Sequence, residues 1–122
     1  MPTDMLRSLL KTKIHGATVT QTEPEYEGSI TIDEDIMEKA GILASEELMI
    51  LNANNGARFT TYCIKGKRNT GTICLNGPCA RLAQVGDKIL VLCFSSFSEE
   101  EAKKHIPRIV HLDANNKITK IT

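Results

Sequence analysis

Apolar residues fall in short runs along the chain, and glycine, proline and asparagine separate the runs. A long run at 9–22 is interrupted by Tyr26-Glu27-Gly28-Ser29, after which Ile30-Thr31-Ile32 resumes as a short strand. Further strands are predicted at 47–52, 58–64, 72–75, 88–94, 109–112 and 117–121. Many short strands separated by turn signals indicate a mainly β protein.

Two short helices interrupt the strands. The Asp33 side chain can cap the N-terminus of the first helix, and Gly41 is a natural stop at its C-terminus. Ser98 and Glu101 form a capping box for a second helix, which would end near His105. The buried face of the first helix would consist of Ile36, Met37 and Ala40.

The clearest hairpin joins the runs 47–52 and 58–64. Asn54-Asn55-Gly56 connects them, and its Asn-Gly pair supplies the positive φ angles of a tight turn. A chain of 122 residues fits one domain, residues 1–122. Short strands with two short helices predict a small β-barrel.

The net charge and the N-terminal residues indicate which classes of partner and which compartment to expect. Acidic and basic side chains balance at 15 each, and a neutral chain has no long-range attraction for nucleic acid. Met1-Pro2-Thr3-Asp4 lacks the features of a secretory signal. No apolar stretch reaches the about 20 residues that a membrane helix needs. We therefore expect a cytoplasmic protein with no nucleic-acid or membrane partner.

The cysteines predict no metal site. Cys63, Cys74, Cys79 and Cys93 show no Cys-x-x-Cys spacing. Each lies in or beside an apolar run, where a free cysteine is most often a small buried hydrophobe. The alternative is that one of them lines a pocket.

Gly28-Ser29 is a candidate for self-cleavage. The Ser29 hydroxyl could attack the unshielded carbonyl of Gly28, which exchanges an amide for an ester. Elimination across the serine Cα–Cβ bond then cuts the chain and leaves dehydroalanine, which hydrolyses to a pyruvoyl group and ammonia. By itself the dipeptide is more often a turn.

The strand after the hairpin carries polar residues on both faces. Alternation places Arg58, Thr60 and Tyr62 on one face, and Phe59, Thr61 and Cys63 on the other. The Arg58 fork suits a carboxylate, and the Tyr62 hydroxyl can move a proton, although both could simply be solvated. Thr61 and Tyr62 can serve one site only if they face different subunits or if the strand twists or bulges.

Two further groups could belong to a site. Lys13 and His15 share a strand face, where one could hold a carboxylate that the other orients, or both could be surface residues. Asn76-Gly77-Pro78-Cys79 reads as a turn whose small residues would let a ligand approach the backbone.

Together these motifs resemble the aspartate 1-decarboxylase family, whose members are made as proenzymes, along nearly the whole chain. The matching segments are Lys13-x-His15, Tyr26-Glu27-Gly28-Ser29, Asn55-Gly56-x-Arg58-Phe59-x-Thr61-Tyr62, Asn76-Gly77 and Gly86-Asp87. They occur in the family's order and spacing, which is far more specific than any single motif.

The resemblance implies a six-stranded double-psi β-barrel with two or three short helices. It implies cleavage into a β chain, residues 1–28, and an α chain, residues 29–122, with four of each in a homotetramer. The cofactor would be a pyruvoyl group, with no metal and no pyridoxal phosphate. The reaction would convert L-aspartate to β-alanine and CO₂, which supplies a precursor of pantothenate and coenzyme A. Whether a maturation partner is needed is not readable from the sequence.

The resemblance also implies the roles of individual residues. Ser29 would become the pyruvoyl group and carry the Schiff base, Tyr62 would donate a proton, and Thr61 would assist cleavage and bind substrate. The remaining substrate-binding residues would be Lys13, His15, Arg58, Asn76, Gly77, Pro78 and Cys79. The family usually has two small residues, commonly alanines, at 78 and 79. Pro78 has no backbone N–H, so a contact from that position is in doubt.

Two alternatives belong to other classes. One is a non-catalytic barrel of the swapped-hairpin transcription-factor type that binds DNA as a dimer, which the neutral charge disfavours. The other is a processing-dead homologue with the same fold, for which Pro78 is the only indication.

Overall fold

One sheet of nine strands dominates the computed structural model, which describes residues 5–122. The strands are β1 (Arg7–Thr18), β2 (Gln21–Glu23), β3 (Ser29–Asp33), β4 (Glu47–Asn52), β5 (Arg58–Gly66), β6 (Ile73–Asn76), β7 (Lys88–Phe97), β8 (Arg108–Leu112) and β9 (Ile118–Ile121). The helices are α1 (Glu34–Ala40), α2 (Glu99–Lys104) and a 3-10 helix (Gly77–Leu82). The mainly β prediction with two or three short helices is confirmed.

The N-terminal expectation cannot be compared with the structure, because residues 1–4 lie outside the described residues. Within residues 5–122, no helix combines the length and the apolar character needed to cross a membrane.

The sheet order is β2-β6-β3-β5-β4-β7-β1-β8-β9, with parallel pairs at β1–β8, β2–β6 and β3–β5. Within the described chain β2 and β9 are edges, so the sheet is not closed, and the six-stranded double-psi barrel stays a prediction. Two backbone bonds tie distant parts of the sheet together. Val19 N donates to Asp87 O (2.9 Å), and Thr20 N donates to Ile73 O (2.8 Å).

Those two bonds also explain an error in the predicted strands. The run 9–22 was expected to be continuous, but β1 ends at Thr18 and β2 begins at Gln21. Val19 and Thr20 bond to segments outside the β1 pairings, and Val19 is buried. The strand is therefore interrupted here, although its residue types favour a strand throughout.

Both predicted helices are confirmed, together with their caps. The Asp33 carboxylate accepts from Asp35 N (2.8 Å), and Gly41 ends α1 with φ 69°. The expected apolar face of Ile36, Met37 and Ala40 is buried. In α2 the capping box between Ser98 and Glu101 is complete.

The β4–β5 hairpin is confirmed, but its turn differs from the prediction. Gly56 has a positive φ of 76°, whereas Asn55 does not share it. The loop is longer than a two-residue turn, since Gly56 N donates to Asn52 O (2.8 Å) and Asn52 N donates to Ala57 O (2.9 Å). One glycine is therefore enough to reverse the chain.

The hydrophobic core determines which side chains remain for chemistry. Strand β3 directs Ile30 and Ile32 into the core, where both are fully buried. Successive side chains of a strand point to opposite faces, so Ser29 and Thr31 lie on the other face. The largest fully buried side chains are Ile14, Ile30, Ile32, Ile36, Leu48, Ile50, Ile73, Leu75, Ile89, Val19, Val91 and Val110.

Candidate active site

Ser29 opens β3 in register with Asn76, the last residue of β6. The two strands are antiparallel, so the side chains of the pair lie on the same face. Ser29 is 1% exposed, whereas Gly28 is half-buried in the loop that precedes β3. The predicted cleavage junction thus lies where a loop enters a buried strand terminus.

A hydrogen-bonded group of Ser29, Thr31, Cys74 and Asn76, here called the Asn76 network, surrounds the Ser29 hydroxyl. Asn76 Nδ2 donates to Ser29 Oγ (2.9 Å) and to Thr31 Oγ1 (2.9 Å). The Cys74 thiol donates to Asn76 Oδ1 (3.2 Å). Ser29 Oγ in turn donates to Glu27 O (3.3 Å). An N–H on Oγ favours the negative charge that grows there when the hydroxyl loses its proton.

Gly77 allows the backbone before Ser29 to approach β6 closely. Its φ is 69°, and a Cβ at this position would lie 2.6 Å from Tyr26 O and 2.7 Å from Gly28 N. Both distances are far below van der Waals contact, so no other residue fits without displacing the chain. Asn76 and Gly77 therefore hold the 28–29 junction from two sides.

Pro78 and Cys79 follow Gly77 in the first turn of the 3-10 helix and do not form the simple turn that was predicted. Proline is accommodated in this first turn because the N–H it lacks would have no partner within the helix. A Cβ on Gly28 would lie 3.6 Å from Pro78 Cδ, so the Pro78 ring is close to the junction. The Cys79 side chain belongs to the buried core.

Strand β5 has the predicted alternation. Arg58, Thr60 and Tyr62 are exposed, whereas Phe59 packs on the core, Thr61 is half-buried and Cys63 is buried. No register shift interrupts the pairing of β5 with β3 or β4, so no bulge brings Thr61 and Tyr62 to one face. Ile30 of β3 is in register with Cys63 of β5, and the two strands are parallel. Ser29 and Tyr62 are the residues just before this pair, so both side chains lie on the face of the sheet away from the core. Tyr62 is 37% exposed.

The remaining predicted residues lie elsewhere in the chain. Lys13 and His15 lie on β1, which is separated from β3 in the sheet by β7, β4 and β5. Across the described chain, no hydrogen bond or ion pair joins either residue to Ser29 or Tyr62. Arg58 is exposed and donates from Nε to Met49 Sδ (3.3 Å).

His15 and Lys13 have a basic neighbour that sequence reasoning missed. His15 is in register with His111 of β8, and their ring centroids are 5.6 Å apart. Burial and the charges of Lys120, His15 and Lys13 lower the pKa of His111. The neutral form of the His111 imidazole is therefore favoured.

All four cysteines are free and buried, as predicted. Burial raises the pKa of the Cys63 thiol to about 12, and burial together with a hydrogen bond to Glu46 raises that of Cys93 to about 11. Thiols in this state are poor nucleophiles and poor metal ligands. Residues 5–122 contain no cluster of three His, Cys, Asp or Glu side chains that could hold a metal ion.

A cavity of ≈ 310 Å³ opens beside the Asn76 network. Thr31, Cys74 and Asn76 line it together with Gln21, Glu23, Tyr26, Ile64, Lys65 and Thr72. Thr31 was not predicted to belong to a site, and Cys74 was included only through the alternative that one of the four cysteines lines a pocket. Strand alternation could have identified both residues. Thr31 lies two residues after Ser29 and Cys74 two residues before Asn76, so each shares a strand face with a predicted site residue.

Comparison with known proteins identifies relatives over almost the full length. The model of the family described as "Aspartate decarboxylase" matches residues 5–119. An aspartate 1-decarboxylase of Caldicellulosiruptor saccharolyticus is 56% identical over 118 residues, which cover 97% of this chain and 92% of the relative. An aspartate 1-decarboxylase of Clostridium beijerinckii is 52% identical, covering 97% of this chain and 95% of the relative. An aspartate 1-decarboxylase of Bacillus velezensis is 51% identical, covering 93% of this chain and 90% of the relative.

Proposed function

The chain belongs to the aspartate decarboxylase family and is an aspartate decarboxylase, and we propose that it works through a pyruvoyl group formed from its own Ser29. The observation that carries the proposal is the Asn76 N–H on the Ser29 hydroxyl, directly after Gly28. The DNA-binding barrel and the processing-dead homologue are not favoured. The relatives are decarboxylases, and both residues of the cleavage junction are present.

The Gly28–Ser29 junction holds the atoms from which the pyruvoyl group would form. Ser29 Oγ forms a bond to the Gly28 carbonyl carbon, the Gly28–Ser29 C–N bond breaks, and the Ser29 nitrogen takes a proton. Loss of the Ser29 Cα proton then breaks the Cβ–O bond and frees the Gly28 carboxylate. Water replaces the nitrogen of the resulting dehydroalanine as ammonia. Asn76 assists the first step because its N–H stabilises Oγ as the hydroxyl proton leaves.

The group that results supplies a ketone carbonyl, which condenses with the substrate amine and takes up the electrons left when CO₂ departs. The role of Tyr62 is to hold a proton at its hydroxyl and return it to the substrate Cα, which yields β-alanine. Aspartate has two carboxylates, and Arg58 and Lys13 offer two positive charges. Asn76 Nδ2 already points to position 29 and can serve substrate as well.

We also propose that the site is completed by a neighbouring copy in a homotetramer. The distribution of the residues in one chain supports this. Lys13 and His15 lie on β1, far from β3 in the strand order, while Thr61 and Tyr62 point to opposite faces of an unbulged β5. A second copy would allow both faces to contribute to shared sites. The six-stranded double-psi barrel is proposed for the fold, and the bonds from Val19 and Thr20 across the sheet support it.

Intact-mass measurement of the purified protein tests this function. We expect fragments that meet at the 28/29 junction, with the larger one blocked at its N-terminus by a ketone that reacts with hydroxylamine. Ser29→Ala should give a single uncut chain and no β-alanine from aspartate. A chain that stays whole after prolonged warming, or an active Ser29→Ala variant, contradicts the proposal.

A further inference from the structure

The Asn76 side chain contacts all other members of the Asn76 network. Its Nδ2 donates to Ser29 and Thr31, and its Oδ1 accepts from Cys74. Asn76 and Cys74 are each 5% exposed, so only a small part of either side chain meets solvent. Building on the proposed function, we propose that Cys74 is a positioning residue. Its thiol proton holds the Asn76 amide in the orientation that presents an N–H to Ser29 Oγ.

The shape of the carboxamide does not decide its orientation, because its oxygen and NH₂ ends are nearly the same size. The hydrogen-bonding groups that face its two ends decide it, Ser29 at one end and Cys74 at the other. Ser29 has one hydroxyl proton, and it points to Glu27 O (3.3 Å). Toward Asn76, Ser29 Oγ therefore offers only lone pairs. The NH₂ end of Asn76 satisfies it, whereas the oxygen end would set lone pairs against lone pairs.

The oxygen end then needs a donor of its own. Among residues 5–122, the Cys74 thiol is the donor that hydrogen-bonds to Asn76 Oδ1. In the reversed orientation the NH₂ group would face sulfur, which is a weak acceptor. Burial, together with the charge of Glu23, raises the pKa of the Cys74 thiol, so the thiol keeps the proton that it donates.

The register of the strands explains why Cys74 is suited to this role. Thr31 is in register with Cys74, and Ser29 is in register with Asn76. The four side chains of the Asn76 network therefore occupy adjacent positions on one face of two paired strands. Removing the thiol, as in Cys74→Ala, leaves Oδ1 without that donor and allows the amide to rotate away from Ser29. A hydroxyl at position 74 keeps the donor.

Self-cleavage kinetics of Cys74→Ala and Cys74→Ser test the inference, with the uncut fraction followed by intact mass. Removing the partner of a buried polar atom costs enough that Cys74→Ala should cleave about tenfold more slowly. Cys74→Ser should stay within about threefold of the parent rate, because it keeps a donor. Equal slowing in both variants overturns the inference.

Cys93 provides a matched control. It is also buried, and its thiol also donates to a side-chain oxygen at 3.2 Å, in this case Glu46 Oε2. It has no hydrogen bond to the Asn76 network. Cys93→Ala and Cys93→Ser should therefore cleave at the parent rate. If Cys93→Ala slows cleavage as much as Cys74→Ala, the effect is a general loss of core packing and the inference fails.

A double-mutant cycle shows whether Cys74 acts through Asn76. In an Asn76→Ala background the amide is absent, so Cys74→Ala should slow cleavage no further. A purely structural effect of the smaller side chain would persist in that background. Persistence of the full effect contradicts a positioning role.

The side-chain amide of Asn76 can also be observed directly, and this separates the inference from the proposed function. The ¹⁵N–¹H signals of its Nδ2 group should be single and slowly exchanging. They are recorded on Ser29→Thr, which preserves a hydroxyl, using protein that intact mass shows to be uncut. The signals should broaden or double when Cys74→Ala is added to this background. They should stay unchanged when Cys74→Ser is added instead. Signals that stay unchanged with Cys74→Ala overturn the inference. A parent chain that never cleaves, with signals that do respond, overturns the proposed function and leaves the positioning role standing.

Discussion

Ser29 and Asn76 are paired across β3 and β6, and the Asn76 amide donates to the Ser29 hydroxyl over 2.9 Å. The contact joins the residue after the proposed cleavage junction to a residue 47 positions away in sequence. It is part of the folded sheet, so folding itself brings the hydroxyl and its hydrogen-bond donor together. Self-cleavage should therefore follow folding and fail in an unfolded chain.

Asn76→Ala should slow self-cleavage by about tenfold to a hundredfold, since loss of one preorganised donor removes a few kcal/mol of stabilisation from the developing charge. The fraction cut at 28/29, followed by intact mass over time, measures the effect. Asn115→Ala is the control, because Asn115 is exposed and lies in the β8–β9 turn. Equal rates for Asn76→Ala and the parent would show that the amide does not assist cleavage.

Gly77→Ala should prevent normal packing of the junction, because its Cβ would lie 2.6 Å from Tyr26 O. Gly56→Ala is a matched control: its φ of 76° is similar, but nothing lies within 4 Å of the added Cβ. We expect Gly56→Ala to lose about 1–2 kcal/mol of unfolding free energy from backbone strain alone. Gly77→Ala should lose more, as measured by urea unfolding in a Ser29→Ala background. It should also fail to cleave when Ser29 is present.

If Gly77→Ala and Gly56→Ala lose the same stability and both cleave normally, the close approach at Gly77 is not a requirement of the site. A loss of stability in Gly77→Ala without any loss of cleavage would separate packing from chemistry.

Local sequence features predicted the parts of the fold that depend on short-range interactions. The Asp33 cap, the Gly41 stop and the Ser98–Glu101 capping box each depend on a few neighbouring residues, and all are confirmed. The alternation of β5 is confirmed for the same reason. The break after Thr18 was missed, because the partners that end β1 are Asp87 and Ile73, far along the chain.

The candidate site also combines features that neighbouring residues predict with features that depend on distant partners. Ser29 and Asn76 could be named from motifs, but their pairing across β3 and β6 is a property of strand register, which local patterns do not encode. Cys74 was predicted to be a buried hydrophobe, with the alternative that one of the four cysteines lines a pocket, as Cys74 does. Its hydrogen bond to Asn76 became visible once the structure showed that the side chains at 74 and 76 share a face with Ser29.

Tyr62→Phe should leave self-cleavage largely intact and suppress the formation of β-alanine by about a hundredfold or more, as expected on loss of a general acid. The side chain is 37% exposed, and no hydrogen bond from its hydroxyl is part of the described network around Ser29. Intact mass gives the cleavage, and ¹³C-labelled aspartate gives the turnover. Normal turnover in Tyr62→Phe would remove Tyr62 from the proton-donor role.

Mixed assemblies should show whether one site uses two copies of the chain. Co-expression of Ser29→Ala with Lys13→Ala should restore activity to about a quarter of the parent level if Ser29 and Lys13 come from different copies, because about a quarter of randomly formed sites then hold both residues. The two variants purified separately are the control. No restoration in co-purified assemblies would place both residues in the same copy.

Glu46 makes stability depend on pH through a half-buried ion pair. Its carboxylate accepts from Lys11 Nζ (2.8 Å), Leu43 N (3.0 Å) and the Cys93 thiol (3.2 Å). Burial alone would raise the pKa of Glu46, but these donors and the Lys11 charge together hold it below the ordinary 4.5. A pKa that is lower in the folded chain contributes stability above the unfolded value and loses it as pH falls through the folded value.

The unfolding free energy should therefore drop below about pH 4.5, and Glu46→Gln should remove part of that drop. Measured by urea unfolding in the Ser29→Ala background, Glu46→Gln should be clearly less stable than its parent near neutral pH and approach it in acid. Glu100→Gln is the control for a general effect of the substitution, since Glu100 is exposed on α2. A Glu46→Gln difference that stays constant from neutral to acid pH would mean that the ionised carboxylate adds nothing beyond its shape. The contacts to Lys11 and Cys93 would then be packing contacts alone.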